Sequence, residues 1–466
     1  MQFHQQALKF LTSSVAPRDL FVFSFLFFLS ASCFLKFVLL QFIVPELNGG
    51  NGLLKGGDWL TFYEAAVGKA QHIETQGWEH FEIAPKGQLP VGLMSFLLVT
   101  TGSIDSYIII YAFIYALSIT LVYQIIAALI SRPLPLISMF PFIVFPSTLV
   151  IYTQPHKDAW SVLGISLLLF SIIKIDVMKP SNFFRKIVLF SCGVILILNV
   201  RPYLLTITLL GIFIISPFYI FESQQINKKI IISKLVFLIS AVGIIHASGF
   251  LNENSRIDVN ISNPQPRFEI SLDARQKKSV DVRQQTSDVI QQTSDVRQQT
   301  SDYWHDKIAW RFDDIRQSFL REYSHSQSGF DLDQRFYSAS DLVSYVPRAF
   351  LVSVFGPFYN QWFSPAHSPG GGLMRLLNGL EMMIFYGVSV VFLLAICCRS
   401  HNETTIRWPM VIGVLGFCTA FLSILATAVP FMGTIVRMRF LPWSLICSLM
   451  ISLSFQLLWS YGDRKK

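Results

Sequence analysis

The chain has 466 residues, 52% of them hydrophobic and only 14% charged, against about a quarter charged in soluble domains. Mean hydropathy is +0.49, and several apolar runs approach the ~20 residues that cross ~30 Å of hydrocarbon, which excludes a soluble globular protein and predicts an integral membrane one. The formal net charge of +8 fits cationic membrane loops, and no basic stripe interleaved with aromatics points to nucleic acid.

The first apolar run, Phe21–Val44, exceeds twenty residues and has no small-residue cleavage site, so it predicts a retained span rather than a signal peptide. Lys36, about two turns inside its end, either snorkels to headgroups or faces the bundle interior. The loop that follows contains "GGDWLTFYEAA" (Gly56–Ala66). From Trp59, the residues Phe62, Tyr63, Ala66, Ala70 and Ile73 recur at helical spacing, which predicts an amphipathic helix with its aromatic face in the lipid boundary. Asp58 opens that helix. It reads as an N-cap, as a catalytic carboxylate held at the lipid–water boundary, or as both. Glu64 falls on the polar face, where a solvated charge is the plain reading. Val91–Thr100 is apolar but too short to cross.

Nine further spans follow: Ser106–Leu129, Pro135–Tyr152, Ala159–Ile173, Ile187–Val200, Tyr203–Phe221, Ile230–Phe250, Leu377–Cys397, Val411–Val429 and Phe440–Trp459. Ten spans put the cationic segments on one face: Lys9 and Arg18; Arg132; Lys174, Lys179, Arg185 and Lys186; Lys228, Lys229 and Lys234; Arg399 and Arg407; and the C-terminal tail. By the positive-inside rule that face is cytoplasmic, with both termini on it.

The other face collects the charges that matter for chemistry. "TQPHKDAW" (Thr153–Trp160) brings His156, Lys157 and Asp158, "NVRPY" (Asn199–Tyr203) brings Arg201, and "PFMGTIVRMRF" (Pro430–Phe440) brings Arg437 and Arg439. Cations on a non-cytoplasmic face ask for an anionic partner, and a lipid phosphate is the obvious one. His156 and Lys157 suit a phosphate beside a helix N-terminus. Asp158 also reads as a cap, Lys157 as a snorkelling side chain and Arg201 as a membrane anchor. Arg437 and Arg439, one residue apart, splay in a helix, so one of them faces the site.

The organisation is thus an N-terminal transmembrane module (1–250) with a first external loop (45–105), a large external loop (251–375) and a C-terminal three-span module (376–466). The large loop holds three near-identical heptads, DVRQQTS, DVIQQTS and DVRQQTS (281–301), with too few apolar positions for a coiled-coil seam. Its later part, "YVPRAFLVSVFGPFYNQWF" (Tyr345–Phe363), predicts a Pro-broken interfacial segment (343–363) closing over the site. The six cysteines show neither metal-ligand spacing nor a disulfide framework.

A first span, then an external loop with an early acidic residue on an interfacial helix, resembles the GT-C superfamily of polytopic glycosyltransferases. "PHKDAWSVLGISLLL" and "GTIVRMRFLPW" resemble the turns of bacterial membrane glycosyltransferases of cell-surface polysaccharide loci. The resemblance implies an all-α, GT-C-like integral membrane protein of the bacterial inner membrane, with Asp58 as the catalytic carboxylate. It implies a polyprenyl-phosphate-linked sugar donor and a glycan or lipid-linked acceptor as partners, in cell-envelope synthesis. A divalent cation is one option as cofactor, although Asp58 and Glu64, six residues apart, lie on different faces of one helix. The alternatives are an O-antigen-type polymerase, which also relies on external arginines, and a lipid-linked oligosaccharide flippase or other transporter.

Overall fold

The computed structural model describes residues 15–130, 136–174, 180–221, 304–322, 328–363, 369–397 and 406–462, with the single residue Val236. Among these there is helix and loop and no strand, only isolated bridges of Asn48 with Leu54 and Gly329 with Phe431. The chain is an all-α, multi-pass membrane protein. Six helices are long and apolar enough to cross: Pro17–Ile43, Tyr107–Ile130, Pro202–Ile220, Gly372–Cys397, Trp408–Ala428 and Phe440–Leu458. The expected spans Ala159–Ile173 and Ile187–Val200 are helices that fall outside that count, and Ile230–Phe250 lies outside the described residues apart from Val236.

Helix α1 (Pro17–Phe34) continues into a π-helical stretch, Leu35–Ile43, and packs along α4 (Tyr107–Ile130). Between them α2 (Asp58–Gln76) lies on α3 (Leu89–Thr101). Of the stripe read from the sequence, Trp59, Phe62, Ala66, Ala70 and Ile73 are buried and Tyr63 is half-buried. The stripe packs against protein, which corrects the expectation that its aromatics sit in the lipid boundary.

The expected span Pro135–Tyr152 is broken. Helix α5 (Phe140–Val144) and α6 (Pro146–Thr153) belong to a pair bent by 62° at Phe145. Pro146 has no N–H to give to the Phe142 carbonyl, so helical bonding fails at Phe145, and the freed groups need other partners inside a bundle. Tyr115 donates to the Phe142 carbonyl at 2.7 Å, Thr148 to the Pro141 carbonyl at 3.1 Å, and the Ser147 N–H to Glu381 at 2.6 Å.

Next come α7 (Lys157–Ile173), α8 (Pro180–Leu198) packed on it, and α9 (Pro202–Phe221). Because α8 begins at Pro180, Lys186 is not a loop charge as expected. It is fully buried, hydrogen-bonded to Tyr219 with its ammonium 4.5 Å from that ring. Helices α10 (Trp304–Glu322), α11 (Ala339–Phe355) and the single turn α12 (Tyr359–Trp362) precede α13 (Pro369–Cys397), α14 (Trp408–Ala428), α15 (Met432–Met438) and α16 (Phe440–Gly462). Helix α9 runs along α14, as does α11, and α13 packs on α16.

Helix α11 opens on a capping box of Ser338 with Asp341 and runs through Pro347, so the expected proline break is absent. The carbonyl that Pro347 leaves unpaired belongs to Val343, a residue on the exposed side. Its C-terminal carbonyls are taken by side chains of other helices. Arg439 donates to Ser353, Trp443 to Val354 at 3.0 Å and Tyr386 to Phe355 at 2.9 Å.

Candidate active site

One end of the bundle gathers the turns that carry charge. Lys36 pairs with Asp105, the Leu54 N–H donates to Gln154 at 3.0 Å, and the Tyr203 hydroxyl reaches Met438 Sδ at 3.7 Å. At the opposite end Arg407 donates to the Ala128 carbonyl at 3.0 Å and Tyr123 to that of Val15 at 2.9 Å. Lys36 therefore faces the interior. It is 4% exposed, with its ammonium 5.3 Å from the Tyr107 ring.

The two glycines before Asp58 have separate tasks. Gly56 has φ +87, a left-handed conformation that other residues adopt at a cost. A side chain on Gly57 would meet the Trp59 ring at 2.0 Å. The ring folds back over the glycine, donates its N–H to the Leu54 carbonyl, and stands 5.9 Å from the His156 ring. Asp58 is the first helical residue, the N-cap position is Gly57, and no side chain caps the helix. The capping reading of Asp58 is thereby corrected: its carboxylate turns to Arg437 NH1, at 2.8 Å.

From that pair a chain of contacts runs inward. Arg437 NH1 is 3.2 Å from His156 Nε2, His156 Nδ1 is 2.9 Å from Asp158 Oδ2, and Asp158 Oδ1 is 2.8 Å from Arg201 NH2. Arg201 NH1 also donates to Tyr203. His156 is the N-cap of α7, its Nδ1 being 3.1 Å from the Asp158 N–H, so Asp158 is not the cap. His156 and Asp158 are 1% and 2% exposed, so their geometry is set by this network and not by solvent.

Asp58 and Arg437 line a cavity of about 300 Å³ with Gly56, Trp59, Ser147, Asn378 and Thr434 among its other walls. Burial pushes the Asp58 carboxyl up, but the positive charge of Arg437, its hydrogen bond and Arg201 outweigh that and hold it below the usual carboxylate value. The segment beside Ser328 is fastened at the rim: the Phe330 N–H donates to the Pro430 carbonyl and the Met432 N–H to that of Ser328, at 3.0 and 2.9 Å. Behind it the buried Arg316 donates to the carbonyls of Thr427, Phe330 and Asp331, at 3.2, 3.1 and 2.7 Å.

The structure thus brings together Asp58, His156, Asp158, Arg201 and Arg437, and leaves three expected residues apart. Glu64 is exposed on α2 and does not line the cavity. Lys157 lies with its ammonium 5.1 Å from the Phe62 ring. Arg439 turns the other way, to Ser353, to Met382 Sδ at 3.3 Å and over Trp443 at 5.0 Å, where burial pushes its guanidinium down to about 10. No residue of 339–363 lines the cavity, so α11 does not close over it as expected. Among the described residues no group of three or more His, Cys, Asp or Glu side chains has the geometry to hold a metal ion.

Sequence reasoning missed Gln154, Asn378, Glu381 and Arg316. It also missed the tyrosines Tyr107, Tyr111 and Tyr115, which donate to the carbonyls of Thr153, His156 and Phe142 at 3.0, 3.2 and 2.7 Å. Their four-residue spacing on one apolar helix was the available signal. The fold and site define a multi-pass, all-helical membrane protein with an ion-paired cavity at one end of its bundle. No protein-family model, curated protein or solved structure matches the chain.

Proposed function

We propose that this chain is an integral membrane glycosyltransferase that moves a sugar from a polyprenyl-phosphate-linked donor to an acceptor hydroxyl at the external face of the membrane. The observation that carries this reading is the Asp58–Arg437 pair in the wall of a cavity beside apolar helices. Transfer asks for a carboxylate to take the acceptor's proton, a cation to stabilise the departing phosphate, and a cleft that holds both reactants. In the resting state Arg437 answers Asp58. A donor phosphate competes for that guanidinium and frees the carboxylate, which then regains basicity as the acceptor hydroxyl approaches. His156 and Asp158, with Arg201 behind, hold Arg437 from the far side. The external face is the one away from the cationic turns, and in this reading both termini are cytoplasmic.

A second reading has one observation in its favour. The broken span at Phe145, next to buried Glu381 and Arg439, is the kind of discontinuity found at transporter binding sites. The discriminating experiment uses purified protein in vesicles with a labelled polyprenyl phosphate sugar. The transferase reading requires label to appear covalently on an added acceptor. Label that crosses the bilayer on its unchanged lipid, with none transferred, replaces it with the transporter.

A further inference from the structure

Helix α13 supplies a cavity wall whose chemistry the Asp58–Arg437 pair does not use. It contributes Met374 and Asn378, one turn apart. The Asn378 side-chain oxygen is shielded from water and has no hydrogen-bond partner. A buried amide oxygen left in that state is destabilising, and such atoms in folded proteins call for an explanation.

The helix cannot simply roll Asn378 away. On one side Gly379 lies against Trp362, close enough that a side chain there would meet the indole at 2.7 Å. On another, Glu381 takes the Ser147 N–H at 2.6 Å, and Ser147 itself lines the cavity. These two contacts bracket Asn378 and fix the rotation of α13. The side chain is thus held at the cavity wall before any ligand arrives. Ser147 and Thr434 add hydroxyls and Trp59 adds an aromatic face to the same space. An amide offers one acceptor and two donors in a plane, which matches adjacent hydroxyl groups on a ring. A phosphate, which needs cations and donors, has its partner in Arg437.

We propose that Asn378 is the specificity-determining residue for the sugar ring, its amide turning so that the buried oxygen that lacks a partner accepts a ring hydroxyl proton, with Glu381 as the residue that positions the helix. This rests on the transferase reading for the identity of the ligand. The geometry of Asn378 does not depend on it. A site built to pair with a hydroxyl discriminates strongly against a ring that lacks it.

The test measures binding of two probes to the full-length protein in detergent: a short-chain polyprenyl phosphate glucose, and the same polyprenyl phosphate without sugar. The wild type binds the sugar-bearing lipid more tightly. Asn378→Ala weakens that lipid by about tenfold, the value of one hydrogen bond, and leaves the bare phosphate unchanged. Asn378→Leu, close in size and without the accepting oxygen, gives the same selective loss if the alanine variant misfolds. Equal loss on both probes shows that Asn378 reads the phosphate and overturns the proposal. So does wild-type affinity in both variants. A wild type that binds the two lipids equally overturns sugar recognition while leaving phosphate binding at Arg437 intact. One that binds neither overturns the transferase reading along with it.

Discussion

Arg437 faces two partners, a carboxylate at the cavity and an imidazole behind it, and that double contact decides how Asp58 titrates. Its carboxyl is held below the ordinary value, so Asp58 gives up its charge at a lower pH than an ordinary carboxylate. The sign follows from linkage: the pair's contribution is present above the unfolded value near 4 and is lost as pH drops through the lower folded one. In Arg437→Ala burial is left with less to oppose it, and the acid limb of the pH–rate profile moves to higher pH. An unmoved limb would show that the limb does not report Asp58. Asp158 plays the opposite part. It is buried against Arg201, whose side chain is 11% exposed, so Asp158→Ala leaves a guanidinium without its counter-charge. Breaking a buried pair costs about 3–5 kcal/mol. Thermal unfolding in detergent should show a large drop in Tm for Asp158→Ala, and much less for Glu64→Ala on the exposed face of α2.

At the scale of elements, the deciding physics is where helix ends find hydrogen bonds away from water. Helix α11 ends on three side-chain donors, with the Arg439 cation at the end where the helix dipole is negative. Trp443→Phe keeps most of the packing and removes one donor, leaving the Val354 carbonyl unpaired. A loss of about 1–3 kcal/mol is expected, read from denaturation midpoints. These ends also explain what the sequence could and could not tell. The stripe of α2 was legible because Trp59, Phe62, Ala66, Ala70 and Ile73 are apolar at helical spacing. Its burial against protein was not, since periodicity marks a buried face but not what covers it. The break at Phe145 hid inside an apolar run, although Pro146 was its signal. Helix α10 was missed because its buried positions, Ala309, Asp313 and Arg316, are mostly charged. Arg437 and Arg439 were expected to diverge, and they do, but only the fold tells which one meets Asp58.

At the scale of the molecule, the candidate site is assembled from chain positions nearly 400 residues apart: Asp58 and Arg437 are separated by 379. Spacing in the sequence carries no trace of such a meeting. It was reachable only through the argument that alternating spans put certain turns on one face. The DVRQQTS array lies outside the described residues, and each heptad is a near-copy of its neighbours with too few apolar positions to pack a seam. Deletion of one heptad, Asp288 to Ser294, should leave expression and transfer near wild type. A folded deletion without activity would give the array a role in the site.

The central claim is that the Asp58 carboxylate takes a proton while Arg437 holds the phosphate, and Asp58→Asn tests it most directly. The substitution preserves shape, and Asp58 does not cap its helix, so fold and membrane level should survive. Sugar transfer and donor binding are then measured on the same preparation. Transfer should fall by about 10²- to 10⁴-fold, the usual worth of a positioned general base, while donor binding persists. Full transfer by Asp58→Asn would contradict the account.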